Sequence, residues 1–410
     1  MALPEIPDEL LVEILLRLPT ASDLIRASGA SISFRHLVAD RWFLQRFRRL
    51  HPPPLLGFLD QHGFHPALPP HPSAPAASAV ASTADFSFAF LPSPAQSWSV
   101  RDVRDGRVLL DRPRRHGAGK GRTGALFAET AVCDPLHREY LLLPPIPDDL
   151  AASDENPLRI YGHRWGESFL VPDGDDEETP PAEDTAFRVI CLAQYQTKLV
   201  AFVFFSGTGQ WRDIPSLSWI NFIPDFSSEW MGISSWRQYA YGYFTGLQVG
   251  VENSLCLTPE EWNSPWLTAH QELVVSTVIW ALWIEAGEGI IGMFVPSHDK
   301  VGHHGHDTVL LRYTIRRDNG GSNTQWQTEK TISIAAGSSF MGSIGRHLLL
   351  YQCGNSSFEL GCFTLDVKTF QLERVCASRL TPAESRAYCN FPPSLLSSTK
   401  VSSGKLSLGC

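Results

Sequence analysis

The chain has 410 residues, 43% of them hydrophobic and 19% charged, with a formal net charge of −9. That length exceeds one ordinary hydrophobic core, and that composition excludes a disordered chain. The negative balance argues against nucleic acid as the main partner.

The chain opens with Ile6-Pro7-Asp8-Glu9-Leu10-Leu11-Val12-Glu13-Ile14-Leu15-Leu16-Arg17-Leu18-Pro19, which reads as a helix. Pro7 is pre-set for the first turn, Asp8 and Glu9 suit the positive end of the helix dipole, and Pro19 stops the helix. Leu10, Leu11, Ile14, Leu15 and Leu18 recur at helical spacing as one broad apolar stripe. A second helix starts at Thr20 or Ser22 and carries Leu24, Ile25 and Ala27. Phe34, Leu37 and Val38 make a third apolar turn, and Asp40 caps a fourth segment that turns Trp42, Phe43, Leu44 and Phe47 inward. So short a bundle has more apolar side chains than it can cover, each worth roughly 1.5–3 kcal/mol when buried. The surplus reads either as a docking face for another protein or as a face that packs on the rest of this chain.

From Leu3 to His51 these residues resemble an F-box. Ile6-Pro7 stands where that family has Leu-Pro, and Asp8 to Pro19 follows its opening pattern. Asp23-Leu24-Ile25-Arg26-Ala27 matches its second helix, and Arg35 to Asp40 with Phe43 to Phe47 match its third region. The sequence departs from the pattern at Phe34, where Trp is usual, at Ala30 and Ser31, in place of Val-Cys, and at Arg41, in place of Pro. The resemblance implies a helical module over residues 1–51 that binds a Skp-type adaptor and, through it, a cullin. The adaptor-binding residues it implies are Pro7, Leu10, Leu11, Ile14, Leu15, Leu18 and Pro19, supported by Leu24, Phe34 and Leu37.

Residues 52–85 are rich in Pro, Ala and Ser and read as a linker, apart from a strand at Leu55-Leu56-Gly57-Phe58-Leu59. Short strands between turn residues follow. They are expected at Phe86–Phe90, Gly106–Leu110, either side of Asp134-Pro135-Leu136-His137, then at Phe187–Leu192, Leu199–Phe205 and Gln210–Ile214. After an aromatic-rich region from Trp219 to Leu257 and one helical turn at Thr258–Trp262, more are expected. These lie at Val274–Ile284, Ile290–Val295, Val309–Ile315, Trp326–Ile334, His347–Gln352, Leu360–Leu365 and Gln371–Val375. The stretch from Asp173 to Asp184 is an acidic loop, and residues 381–410 read as a tail.

A weak repeat runs through this half: polar turns at Asp134–Arg138, Ser206–Gly209, Asn319–Thr324 and Asp366–Thr369 lead into strands that bear an aromatic residue. Units of strand, turn and strand that cannot bury both faces alone are how propeller blades read. The predicted class is therefore α+β and multidomain: a small helical module, then a mainly antiparallel, all-β, β-propeller-like domain over residues 86–380 with five to seven blades. Gly106-Arg107-Val108-Leu109-Leu110 with Cys133-Asp134-Pro135-Leu136 also resembles the F-box-associated domain of plant F-box proteins.

Candidate chemistry is sparse. His298, His303, His304 and His306 with Asp299 and Asp307 suit a divalent metal in type, but a Gly-broken loop does not hold ligands in fixed geometry. Gly117 to Gly124 lacks the first Gly and the Ser or Thr of a phosphate loop, since Arg114 and Gly121 stand there. No nucleophile elbow, zinc-protease or kinase motif is present, so the chain reads as non-catalytic and without a cofactor. Trp211, Trp219, Trp230, Trp236, Tyr239, Tyr241 and Tyr243 suit blade packing, with a partner-binding face as the alternative.

No positively charged, apolar leader opens the chain, and the longest apolar run, Leu273 to Ile284, is too short for a membrane span. Eight scattered Cys without a C-x-x-C pair suit reduced thiols, so an intracellular protein of the cytoplasm and/or nucleus is expected, without membrane contact. The F-box resemblance implies a receptor that brings a protein substrate to a ubiquitin ligase. Two other readings stay open: an interaction scaffold with a degenerate F-box, and a metal-dependent enzyme using the His303–His306 loop.

Overall fold

The computed structural model describes residues 7–19, 21–40, 43, 46–47, 50–51, 53–92, 97–112, 128–147, 150, 159–160, 163–164, 166–172, 187–194, 198–218, 237–239, 244–249, 253–257, 282–287, 290–297, 308–317, 325–335, 338–354, 359–382 and 384–390. Three helices come first: α1 (Asp8–Leu16), α2 (Ala21–Ala30) and α3 (Ile32–Ala39). A fourth, α4 (Ala74–Thr83), stands among the strands of the second half.

Six sheets of three or four antiparallel strands make up that half among the described residues. Sheet I joins β1 (Leu55–Asp60), β2 (Gly63–Pro66) and β24 (Arg386–Cys389) in the order β2-β1-β24. Sheet II runs through β3 (Ser99–Arg104), β4 (Arg107–Arg112), β5 (Glu129–Asp134) and β6 (Glu139–Leu142), each beside the next. After a two-stranded pair, β7 (Arg159–Ile160) with β8 (His163–Arg164), sheet III holds β9 (Gly166–Pro172), β10 (Phe187–Gln194), β11 (Lys198–Phe205) and β12 (Gln210–Ser218). Sheet IV holds β13 (Arg237–Tyr239), β14 (Phe244–Val249) and β15 (Asn253–Leu257). Sheet V holds β16 (Leu282–Gly287), β17 (Ile290–Ser297), β18 (Thr308–Arg317) and β19 (Gln325–Ala335). Sheet VI holds β20 (Ser339–Ile344), β21 (His347–Gln352), β22 (Gly361–Asp366) and β23 (Leu372–Cys376).

One edge strand of each sheet lies near that of a neighbour: β24 meets β3, β3 meets β9, and β13, β16 and β20 meet one another. Sheets that gather by one edge and splay from it are propeller-like. The side-chain pattern shows why this sequence needs the arrangement. In β4 and β5, Val108, Leu110, Ala131 and Cys133 share a cluster with Leu56 and Phe58 of sheet I. The alternate residues Leu109 and Val132 face Leu170, Val189 and Phe204 of sheet III. In sheet VI, Leu348, Leu350 and Phe363 pack on Phe294 and Leu311 of sheet V, whereas Leu349, Tyr351 and Cys362 turn toward sheet I. Successive residues of a strand point to opposite faces, so strands apolar at every position must be covered on both sides.

The repeat in the sequence marks one place in this architecture. Turns 135–138, 206–209 and 367–371 each join the third and fourth strands of a sheet, II, III and VI respectively. Each places one residue in the left-handed region before the last strand resumes: Arg138 (φ 58°), Gly209 (φ 67°) and Phe370 (φ 58°). In two of them an Asp side chain shapes the turn. Asp134 Oδ1 accepts from Leu136 N (2.8 Å) and His137 N (3.2 Å), and Asp366 Oδ1 accepts from Lys368 N (2.7 Å) and Thr369 N (3.2 Å). The fourth member, Asn319–Thr324, lies outside the described residues.

Several expectations are corrected. Residues 52–85 are not a linker: beyond the expected first strand they hold β2 and α4, and α4 buries Ala74, Ala77 and Val80. Pro75 falls in the first turn, where its missing N–H costs nothing, and the Ala-rich run has high helix propensity. Residues 381–410 are not wholly a tail, because β24 completes sheet I by pairing Phe58 with Ala387 and Leu59 with Arg386. Residues 86–90 form turns rather than a strand: Asp85 Oδ1 accepts from Ser87 N at 3.0 Å, and Phe88 sits at φ 54°. Strands β3, β7, β8, β9, β13, β14, β15 and β20 fall outside the expected strands. The acidic loop, the helical turn at 258–262, the His-rich loop at 298–307 and the Gly-rich loop at 117–124 lie outside the described residues.

Candidate functional site

The amino-terminal helices owe their shape to local signals. Pro7 precedes α1 rather than opening its first turn: its ψ is 143°, and its carbonyl accepts the N–H groups of Leu10 (3.0 Å) and Leu11 (3.1 Å). Ser31 caps α3, accepting from Ser33 N at 3.2 Å. Ser31 departs from the F-box pattern, yet its position one residue before an apolar turn is the signal for the cap. Asp40 Oδ1 accepts from Phe43 N at 3.2 Å, so Asp40 caps the following segment as its position suggested.

Packing divides the apolar stripe of α1 into two faces. Leu15 and Leu16 are buried and join Leu24, Val38, Phe43 and Phe47 in one core, with Val12, Leu18 and Leu37 against it. Leu10 and Ile14, one helical turn apart on the other side, are 56% and 55% exposed. Ile32 at the start of α3 is 75% exposed. His51 Nε2 lies 2.8 Å from the Leu16 carbonyl, its ring 4.4 Å from Phe47, and Arg46 pairs with Glu13 at 2.6 Å. This closes the inner face and leaves the outer one to solvent.

The ten residues implied for adaptor binding therefore do not all occupy one surface. Pro7, Leu10, Ile14 and Pro19 are exposed, and Leu11, Leu18, Phe34 and Leu37 are half-buried. Leu15 and Leu24 are core residues, 3% and 0% exposed. The even spacing that placed Leu15 on the stripe misses Leu16 and Val12, which with Leu15 follow the i, i+3, i+4 pattern of an inward face. The exposed Ile32 carried no signal at all.

A model of the F-box domain matches residues 3–46. The amino-terminal helices are an F-box domain. Its match ends just before Phe47, so the aromatic that stacks on Phe43 (6.2 Å between ring centroids) completes the F-box core from outside the matched stretch.

Chemistry in the β-sheets is slight. Among the described residues, no group of three or more His, Cys, Asp or Glu is arranged to hold a metal. Trp211 is a packing residue: its Nε1 donates to Pro144 O at 2.8 Å and its ring lies 5.4 Å from Phe204. Tyr239 ends β13, whereas Trp219, Trp230, Trp236, Tyr241 and Tyr243 lie outside the described residues. No helix among the described residues is long and apolar enough to cross a membrane.

No curated protein matches the chain. Among solved structures, the β-propeller domain of the Trilobed protease from Pyrococcus furiosus is similar at 10% identity, over 68% of this chain and 71% of that one, with a TM-score of 0.29. Oligogalacturonate lyase from Vibrio parahaemolyticus is 9% identical over 70% of this chain and 79% of that one, with a TM-score of 0.30. TolB from Acinetobacter baumannii is 9% identical over 69% of each, with a TM-score of 0.25. None is near enough in shape to lend its activity to this chain.

Proposed function

We propose that the chain is a substrate receptor of a Skp–cullin–F-box ubiquitin ligase. The F-box domain docks a Skp-type adaptor through Pro7, Leu10, Leu11, Ile14, Leu18 and Pro19, and the β-sheets hold a protein to be ubiquitinated. The observation that carries this reading is the F-box match together with the outward face of α1, where Leu10 and Ile14 are more than half exposed. Large apolar side chains held in solvent by a packed helix are worth most when a partner covers them.

In this reading the receptor is non-catalytic. It raises the local concentration of a substrate lysine near a ubiquitin-charged enzyme bound elsewhere in the assembly. The β-sheets act as an F-box-associated domain of the kind found in plant F-box proteins, and the assembly works in the cytoplasm or nucleus. The departures at Ala30, Ser31 and Phe34 do not undermine the module, because Ser31 caps α3 and Phe34 keeps an aromatic, half-buried side chain there.

The test is co-purification with a Skp-type adaptor, wild type beside a Leu10→Asp/Ile14→Asp variant. Capture by the wild type and not by the variant supports the receptor reading. Failure of both to capture the adaptor sinks it and leaves an interaction scaffold with a degenerate F-box.

A further inference from the structure

Cys362 on β22 and Cys376 on β23 stand directly opposite each other in the strand register, 0% and 1% exposed. Directly opposed residues of an antiparallel pair point to the same face, with their Cβ atoms about 4.5–5.5 Å apart, and here the Cys362 thiol hydrogen-bonds the Cys376 sulfur. The ladder shifts register just after this pair, between Cys362 and Phe363. Gly361 sits at φ +148°, where a Cβ would run into the Cys376 carbonyl, so the backbone is held close at this point.

Two groups from sheet I face the pair. Asp60 ends β1 with its side chain wholly buried; its Oδ1 pairs with His65 Nε2 at 3.0 Å and accepts from His62 N at 2.8 Å, while Oδ2 has no hydrogen-bond partner. The ring of His65, on β2, acts electrostatically on Cys376, and Asp60 acts on Cys362. The strap after β2 is fastened to β23, with Leu68 N donating to Val375 O at 2.8 Å. The thiols thus lie at the seam where sheet I meets sheet VI.

We propose that Cys362 and Cys376 form a redox-modification site, at which hydrogen peroxide converts the two thiols into a cross-strand disulfide. Cys376 is the attacking sulfur. The hydrogen bond from the Cys362 thiol holds it below the ordinary thiol range, against the upward push of burial, with help from the Ser378 N–H and the His65 ring. The same bond and burial keep Cys362 protonated. One proton shared between two sulfurs is the physics that activates one thiol of a close pair. The Cys376 thiolate takes one peroxide oxygen as the O–O bond breaks, giving a sulfenic acid and hydroxide, and hydroxide combines with the proton Cys376 had released. The Cys362 sulfur then displaces the hydroxyl from the Cys376 sulfur, and its proton leaves with that hydroxyl as water. Two thiols and one peroxide become one disulfide and two waters. His65, oriented by Asp60, is a positioning residue for the thiolate.

The experiment uses the full chain with Cys353→Ser, which removes the exposed thiol nearest in sequence. The folded protein is treated with hydrogen peroxide across a pH series, quenched, unfolded in N-ethylmaleimide, digested and analysed by mass spectrometry. The expected product is a peptide pair joined through Cys362 and Cys376, two hydrogens lighter than the reduced pair and absent after dithiothreitol. Its rate should rise through a midpoint below that of an ordinary thiol. His65→Gln should shift that midpoint upward, which a purely structural role for His65 would not do. Recovery of both thiols as maleimide adducts overturns the proposal. So does oxidation of Cys376 beyond sulfenic acid with Cys362 still free, or a midpoint near that of an ordinary thiol in the wild type.

Discussion

Asp102 on β3 accepts the backbone N–H of Leu170 on β9 through Oδ2 at 2.8 Å, tying sheet II to sheet III by a buried carboxylate. Its Oδ1 accepts from Val103 N at 2.8 Å. Asp102→Ala removes the acceptor of a buried N–H at Leu170 and of a half-buried one at Val103. A buried hydrogen bond lost in this way costs about 1–3 kcal/mol, and urea unfolding should show a loss of that order. The pH dependence has a definite sign. Burial raises the carboxyl from its ordinary 3.8, against the pull of Arg104 and the two N–H groups. The folded chain therefore binds the proton more tightly than the unfolded one, and the stability margin of wild type over Asp102→Ala should shrink as pH rises from 3.8 through the raised value.

Tyr388 on β24 holds the two ends of the sheet array together. Its ring is fully buried, edge-on to Phe64 (5.4 Å) and Phe86 (5.1 Å), and its hydroxyl donates to Gly106 O and accepts from Asn390 Nδ2, both at 3.4 Å. Tyr388→Ala should cost about 3–5 kcal/mol, the range for deleting a large buried aromatic. Thermal unfolding followed by near-ultraviolet circular dichroism checks this; a change under about 1 kcal/mol would show that sheet I closes without it.

The strands that were legible are short, β-rich and bounded by turn residues. The repeat was legible because Asp134 and Asp366 do the same work at the same joint. What escaped was non-local. Nothing near Leu55 announces that its partner is Cys389, and the Pro- and Ala-rich composition of 67–84 concealed a helix that only tertiary packing calls for. Phe86–Phe90 alternates like a strand, yet its ends are fixed by Asp85 N donating to Pro135 O, a contact with a distant turn. On the F-box the apolar helix was plain, but which of its faces turned inward depended on Val38, Phe43 and Phe47.

That division of α1 yields a paired prediction. Leu10→Asp and Ile14→Asp place charge where solvent already reaches, so the fold should lose less than about 0.5 kcal/mol. Leu16→Asp and Leu24→Asp bury an unpaired carboxylate in the core and should unfold the helices outright. Helical circular dichroism of the four variants separates the sets. Equal loss in all four would mean that the outward face is packed against something in the folded chain.

Asp366 supplies the last test, because one side chain shapes a turn and holds a charge. Burial works to raise its pKa, but the N–H groups of Lys368 and Thr369, then Arg346 and His347, outweigh burial and hold it below its ordinary 3.8. A depressed carboxyl contributes stability that is complete above the unfolded value and is lost as pH falls through the folded one. Asp366→Ala removes the acceptor for both N–H groups and should cost about 1–2 kcal/mol at neutral pH, with the gap to wild type closing below pH 3.8. Asp366→Asn keeps an oxygen for the turn and loses mainly the ion pair with the half-exposed Arg346 at 2.9 Å, which is worth less than about 1 kcal/mol. Asn should therefore fall much nearer to wild type than Ala at neutral pH, and its margin over Ala should not change with acid. If Asn falls as far as Ala, the charge rather than the turn is what holds β22 to β23 at this joint.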